Sequence, residues 1–187
     1  MLVKKKKEII SLGMDEIQPL NFTGPHITTE EFKDMLDHGS DVVILDTRNM
    51  YETRLGKFKG ALDLKIPTFR HFPEAVKKLP DDLKSKTIVM YCTGGIRCEK
   101  ASVVMLNFGF RDVRQLKGGI LAYLDDFGDS HWEGDCLCSI KESLWMRTWR
   151  NQTFRCASVA GSHFQWKSKC LRNTSWEKRV HIALRNQ

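Results

Sequence analysis

Residues 91–101 read YCTGGIRCEKA: a cysteine directly after an apolar run, then two glycines, an arginine and the opening of a helical pattern. The preceding residues 87–91, TIVMY, have the continuous, partly β-branched composition of a strand covered on both faces. Beyond the glycines, Ala101, Val104, Met105 and Phe108 recur at helical spacing until Gly109, so the pattern predicts a helix starting near Cys98. A strand feeding a helix through a glycine loop puts Cys92 at the carboxyl end of its strand, where open parallel sheets bind ligands. Gly94 and Gly95 allow the backbone to come close and to turn successive N–H groups inward as an anion nest. The positive end of the helix and the guanidinium of Arg97 act in the same direction. In such settings a thiol pKa falls from about 8.5 to roughly 3.5–7.5. The sequence therefore predicts a thiolate at Cys92, in a field that would also hold the terminal sulfur of a persulfide. A plain buried cysteine is the usual fate of a free thiol, but the glycines, the arginine and the helix weigh against it here. Cys98 reads as a first-turn helix residue facing the core, with resolution of a Cys92 persulfide into a disulfide as the alternative.

On either side of this loop, strands and helices alternate. Thr28 and Glu31 form a capping-box pattern ahead of Phe32, Met35 and Leu36, and Gly39 closes that helix. Residues 42–45 form a second buried-strand run, ended by Asp46. A small strand near residues 61–64 and a helix over residues 73–79, with Pro73 in its first turn, come next. Residues 113–116 form a further strand, and Gly118-Gly119 introduces a helix striped by Ile120, Tyr123, Leu124 and Phe127. The alternation implies an α/β fold, an open parallel sheet flanked by helices. Residues 8–13, EIISLG, are β-prone, and Pro19, Gly24 and Pro25 mark a linker, which gives an N-terminal strand and linker over residues 1–25.

The 187 residues carry a net charge of +7, but the excess is local: residues 136–187 hold 10 Lys and Arg against 2 Asp and Glu. The remainder is near neutral, so the charge is no property of the α/β domain, which spans residues 26–135. No apolar run approaches the roughly 20 residues of a membrane span, and the lysine-rich start lacks a signal-peptide core. The expectation is a soluble, cytoplasmic protein with no membrane partner. Six cysteines could staple a secreted domain, but two of them flank the glycine loop, which favours chemistry over disulfides.

Three stretches, LDTRNMYETRLGKFKGA (45–61), MYCTGGIRCEKAS (90–102) and QLKGGILAYL (115–124), together resemble a rhodanese-like domain. More narrowly, they resemble the bacterial rhodanese-domain proteins that hydroxylate the wobble uridine of tRNA. The resemblance covers roughly residues 3–135. It implies that Cys92 is the persulfide-forming catalytic cysteine and that Thr93, Gly94, Gly95, Ile96 and Arg97 form the active-site loop. It also implies that Asp46, Arg48 and Arg54, with Cys98, line or brace the site. For Asp46 and Arg48 a structural hydrogen-bonded pair is an equal alternative. The implied activity is oxygen-dependent 5-hydroxylation of wobble uridine, with tRNA as partner and no cofactor or metal visible in the sequence. Sulfur transfer from a small donor such as thiosulfate is the alternative within the enzyme class, and a non-catalytic binding module the alternative outside it. Rhodanese-fold phosphatases carry one residue more between cysteine and arginine, and Cys92 to Arg97 is the shorter C-x4-R. The resemblance implies a further domain ahead of the rhodanese part, with residue 1 expected to fall in what should be the linker after it.

After the WEG motif at residues 132–134 the resemblance stops abruptly. Residues 136–187 show no sustained helical or strand period, so the expectation is disorder or loose helix. Tryptophans and basic residues together could track single-stranded RNA. Cys136, Cys138, Cys156 and Cys170 lack the paired spacing of ordinary zinc sites. The preferred reading is that this tail is foreign to the family, an alternative or shifted reading frame.

Overall fold

The computed structural model describes residues 10–14, 16–140, 143–148, 153–160 and 163–167, with side chains up to residue 136. The chain divides into two units, residues 1–137 and 138–187.

In the first unit the elements run β1 (His26–Ile27), α1 (Thr29–Asp37), β2 (Val42–Asp46), α2 (Met50–Thr53), β3 (Gly56–Phe58) and β4 (Leu62–Asp63), followed by α3 (Phe72–Lys77), β5 (Thr87–Tyr91), α4 (Ile96–Asn107), β6 (Asp112–Leu116), α5 (Gly119–Phe127) and β7 (Trp132–Gly134). The order across the main sheet is β1-β6-β5-β2-β4. Each neighbouring pair is parallel, and the connections between parallel strands carry the helices over the two faces. Strand β5 lies at the centre, between β2 and β6, so its last residue delivers Cys92 to the middle of the sheet's carboxyl edge. The capping box at Thr28 and Glu31 forms as the sequence indicates.

Strand periodicity sorts the core into two layers. Ile88 and Met90 face a cluster with Phe72, Val76, Val104 and Met105, on the α3 and α4 side. On the opposite face Phe58 is the hub, with ring centroids 5.2 Å from Phe32, 4.9 Å from Tyr91, 4.8 Å from Tyr123 and 5.1 Å from Trp132. The short antiparallel pair β3–β7 brings Phe58 opposite Trp132. All four contacts are edge-on, the arrangement favoured by ring quadrupoles.

The expected N-terminal strand does not form in the described residues. Residues 8 and 9 of the β-prone stretch lie outside the described residues, and residues 10–13 form no strand. The Lys100 ammonium donates to the Ile10 carbonyl at 2.9 Å, and Leu12 enters the core from irregular chain. The strand in this region is β1, whose two residues follow Pro25 directly. Among the described residues, no helix is long and apolar enough to cross a membrane.

In the second unit the described backbone is extended rather than helical. The strand order is β11-β10-β9-β8, for β8 (Cys136–Ile140), which begins in the first unit, β9 (Ser143–Thr148), β10 (Thr153–Ala160) and β11 (His163–Lys167), and β10 pairs antiparallel with both β9 and β11. Cys136, grouped with the tail by sequence, is buried in the first unit. Cys170, and the side chains of Cys138 and Cys156, lie outside the described residues.

Candidate active site

Cys92 follows β5 and is 2% exposed. Gly95 is the N-cap of α4 with φ +88°, a conformation open to glycine at little cost. This turn aims the Gly95 N–H at Cys92 Sγ, at 3.1 Å. Helix α4 begins at Ile96, two residues before the predicted start. The earlier start places the Arg97 and Cys98 amides in the first turn, near enough to lower the sulfur's pKa, while the Cys98 N–H makes its own hydrogen bond to the Gly95 carbonyl at 2.9 Å.

The thiol pKa of Cys92 is lowered to about 6. The largest cause is a hydrogen bond from the Cys98 side chain; burial opposes it, and the Arg97 charge and the two amides add to it. Cys98 is fully buried, and its pKa is pushed well up, first by burial and then by the neighbouring Cys92 sulfur. The pair therefore holds one proton at neutral pH, on Cys98, and one anion, on Cys92. The ultraviolet absorbance of thiolate, taken as the difference between the wild type and Cys92→Ser, should rise with a midpoint of about 6. A midpoint near the ordinary thiol value, about 8.5, would show that the cradle does not stabilise the anion.

Arg97 does not stand free above the sulfur. It makes a two-pronged ion pair with Glu52, at 2.6 Å to Oε2 and 2.7 Å to Oε1. The Thr93 hydroxyl donates to the same carboxylate at 3.3 Å. Burial alone would raise the Glu52 pKa, but the guanidinium outweighs it and holds the carboxylate charged. The result ties both ends of the loop to α2. Glu52 was missed in the sequence because it is 45 residues from its partner; the only local signal is its place three residues after Asn49, whose N–H it also accepts at 3.1 Å.

A second brace comes from α5. The N–H groups of Ile120 and Leu121 donate to the carbonyls of Cys92 and Thr93 at 3.0 and 3.1 Å. This approach requires glycine at position 119, because a Cβ there would lie 2.4 Å from the Cys92 oxygen.

The remaining expected site residues divide. Asp46 and Arg48 form a fully buried pair, with Arg48 Nη2 to Asp46 Oδ2 at 2.7 Å and both side chains at 0% exposure. The Tyr91 hydroxyl donates to Asp46 at 2.7 Å, and Arg48 reaches the Gly56 carbonyl at 2.6 Å. This network lies beneath the strand ends, so its place is structural. Arg54 is the exposed C-cap of α2, and among the described residues no hydrogen bond or ion pair joins its side chain to the loop, so the bracing half of the expectation is corrected and Glu52 fills that role. Ile96 is 58% exposed at the lip of the loop, with Tyr51 also exposed. Among the described residues, no cluster of three or more His, Cys, Asp or Glu side chains is arranged to hold a metal.

A sheet with helices on both faces, and a cysteine in a six-residue amide cradle at its carboxyl edge, define the class. Residues 28–126 match the model of the rhodanese-like domain, more than half the chain, and the protein belongs to that family. It is 48% identical over 138 residues to the tRNA uridine(34) hydroxylase of Acinetobacter baumannii strain AYE, covering 73% of this chain and 43% of that protein. The protein of the same name from Cupriavidus necator is 47% identical over 141 residues, covering 73% of this chain and 50% of that protein. The chain thus spans about half the length of the curated relatives it matches. A solved rhodanese-like domain from Anabaena sp. gives a TM-score of 0.49 at 21% identity, covering 80% of this chain and 96% of that one.

Proposed function

We propose that this chain is the rhodanese part of a tRNA-modifying enzyme that hydroxylates uridine 34 at C5 in an oxygen-dependent reaction, with Cys92 as the working thiolate or persulfide. The relatives named tRNA uridine(34) hydroxylase support the substrate, and tRNA is then the partner and the cytoplasm the compartment. The observation that carries the chemistry is the Cys92 sulfur, buried yet anionic, with the Gly95 amide at 3.1 Å and its pKa near 6. Thr93, Gly94, Gly95, Ile96 and Arg97 form the cradle. Glu52 positions Arg97, and Asp46 and Arg48 support the strand ends beneath it.

Thiosulfate-type sulfur transfer is the second reading, favoured by a cradle whose short C-x4-R loop suits one sulfur atom. Deleting the gene and restoring it as wild type or Cys92→Ser, then analysing tRNA nucleosides, tests the first reading. The wild type should restore 5-hydroxyuridine derivatives at the wobble position and Cys92→Ser should leave them at the deletion level. Equal restoration by both would remove Cys92 from the reaction. Unchanged nucleosides in the deletion, with cyanide-dependent thiocyanate formation by the purified chain, would favour the second reading.

A further inference from the structure

The edge of the sheet that carries Cys92 has a charge that the domain as a whole lacks. The loops leaving the carboxyl ends of β2, β4, β5 and β6 are residues 47–55, 64–71, 92–97 and 117–118, and their one acidic residue is Glu52. That carboxylate is taken up by Arg97 at 2.6 Å. Arg54, Lys65, Arg70 and Lys117, by contrast, are all exposed. Among the described residues no ion pair engages any of the four. The strand register sets their places, since Met90 pairs with Gln115, and Tyr91 pairs with Asp46, which pairs in turn with Asp63. Counting on from these pairs, Lys117 is level with Cys92 on one side, and Lys65 lies one residue past that level on the other, two strands away. At about 4.8 Å per strand the two lysines flank the cysteine across roughly 14 Å.

Exposed apolar surface falls on the same rim. Four large hydrophobic side chains stand exposed among the described residues; Leu20 and Phe22 precede β1, whereas Tyr51, at 49%, and Ile96, at 58%, border the cradle. Tyr51 comes directly before Glu52, whose carboxylate receives the Thr93 hydroxyl at 3.3 Å, and Ile96 directly after Gly95, whose N–H meets Cys92 Sγ at 3.1 Å. Asn49 Nδ2 donates to the Tyr51 hydroxyl at 3.3 Å, which fixes the outer end of the ring at the head of α2. Arg54 is three residues on from Tyr51 along α2, the spacing of helix-surface neighbours. A scattered exposed side chain needs no explanation. An aromatic ring and an apolar neighbour beside an anionic sulfur, flanked by unpaired cations, have the make-up of a surface for single-stranded nucleic acid.

We infer that this rim is the docking surface for a single-stranded RNA loop, in which Tyr51 stacks on the base offered to Cys92, Ile96 packs beside it, and Arg54, Lys65, Arg70 and Lys117 meet the flanking phosphates. The inference rests on the reading of the chain as part of a tRNA-modifying enzyme, and adds where the RNA lies. A small sulfur donor needs neither a ring nor cations spread over such a span. A paired strand does not fit the same surface, because a base inside a duplex has both faces stacked and must leave the stack before a ring or a buried sulfur can reach it.

The test uses the full chain, an RNA hairpin whose loop carries 5-iodouridine, and ultraviolet light, which joins that base to an aromatic side chain stacked on it. After nuclease digestion the joined peptide is mapped by mass, and the nucleotide should be found on Tyr51. Attachment confined to residues 136–187, or no attachment at all, overturns the inference. By fluorescence anisotropy with the unmodified hairpin, Tyr51→Ala should weaken binding roughly 10-fold and Tyr51→Phe hardly at all, because stacking needs the ring and not the hydroxyl. Lys65→Gln with Lys117→Gln should flatten the dependence of log Kd on log salt by roughly one for each cation removed. Affinity and salt slope both unchanged in these variants would place the RNA elsewhere and likewise overturn the inference. The enzymatic reading survives such a failure as long as tRNA nucleosides depend on Cys92. Nucleosides that do not change when the gene is deleted overturn that reading itself.

Discussion

Asp46→Ala should be among the most damaging single substitutions in the domain, lowering stability by roughly 3–5 kcal/mol through the charge it strands. Arg48 is 0% exposed and its cationic head is met by Asp46 and one carbonyl, that of Gly56. Its remaining nitrogen, Nη1, already has no hydrogen-bond partner. The faces of Tyr91 and Trp132, 5.7 and 5.3 Å from the guanidinium carbon, supply only a cation–π contribution. Removing the carboxylate also leaves the Tyr91 hydroxyl without its acceptor at 2.7 Å, in a place water cannot easily reach. Hydrogen exchange of the Thr87–Tyr91 amides reads the effect in the central strand itself. A companion change, Asp46→Leu with Arg48→Met, should cost far less, because replacing a whole buried ion pair by apolar groups is often close to neutral. A loss below about 1 kcal/mol for Asp46→Ala, the range of an exposed pair, would show that the pair is not buried in solution.

The parts of this fold legible in the sequence were those whose signal is local. Residues 42–45 and 87–91 are continuous apolar runs, and β2 and β5 lie there as the central strands. The capping box at Thr28 and the apolar stripe of α5 are likewise encoded within a few residues. The small strand expected near residues 61–64 forms as β4, whereas β1, also two residues long, has no period to read and exists because β6 offers it a ladder. The same division holds at the site. The loop around Cys92 announces itself through its glycines, although only Gly95 adopts a positive φ and Gly94 does not. Glu52 and Thr47 gain their places only when α2 and the end of β2 fold against the loop. Arg54 was expected to brace it, yet on a helix as short as α2 a shift of two residues exchanges the loop-facing position for solvent. Cys98 was expected to face the core. It does, fully buried in the cluster that also holds Cys92.

Gly119→Ala should abolish the low thiol pKa and, with it, sulfur uptake by Cys92. The residue has φ +63°, and a methyl there would come within 2.4 Å of the Cys92 oxygen, 2.8 Å of the Gly95 nitrogen and 2.8 Å of the Thr93 oxygen. All three are backbone atoms of the cradle, so no side chain can rotate to make room. The start of α5 and the loop must separate, at a cost of roughly 1–3 kcal/mol for the strained backbone alone. Separation stretches the bonds from Ile120 and Leu121 that hold the Cys92 and Thr93 carbonyls. Once the loop relaxes, the sulfur shifts away from the Cys98 side chain, the Arg97 charge and the first-turn amides as well as from the Gly95 N–H, and the thiol returns toward its ordinary range. Gly94→Ala provides the contrast, since its added methyl meets nothing within 4 Å and its φ lies outside the left-handed region. The thiolate absorbance titration separates the two: the Gly94→Ala midpoint should stay near 6, the wild-type value, while that of Gly119→Ala rises. An unshifted midpoint in a folded Gly119→Ala protein would mean that α5 does not hold the cradle, leaving Gly95, the first turn of α4 and the Cys98 thiol to stabilise the anion by themselves.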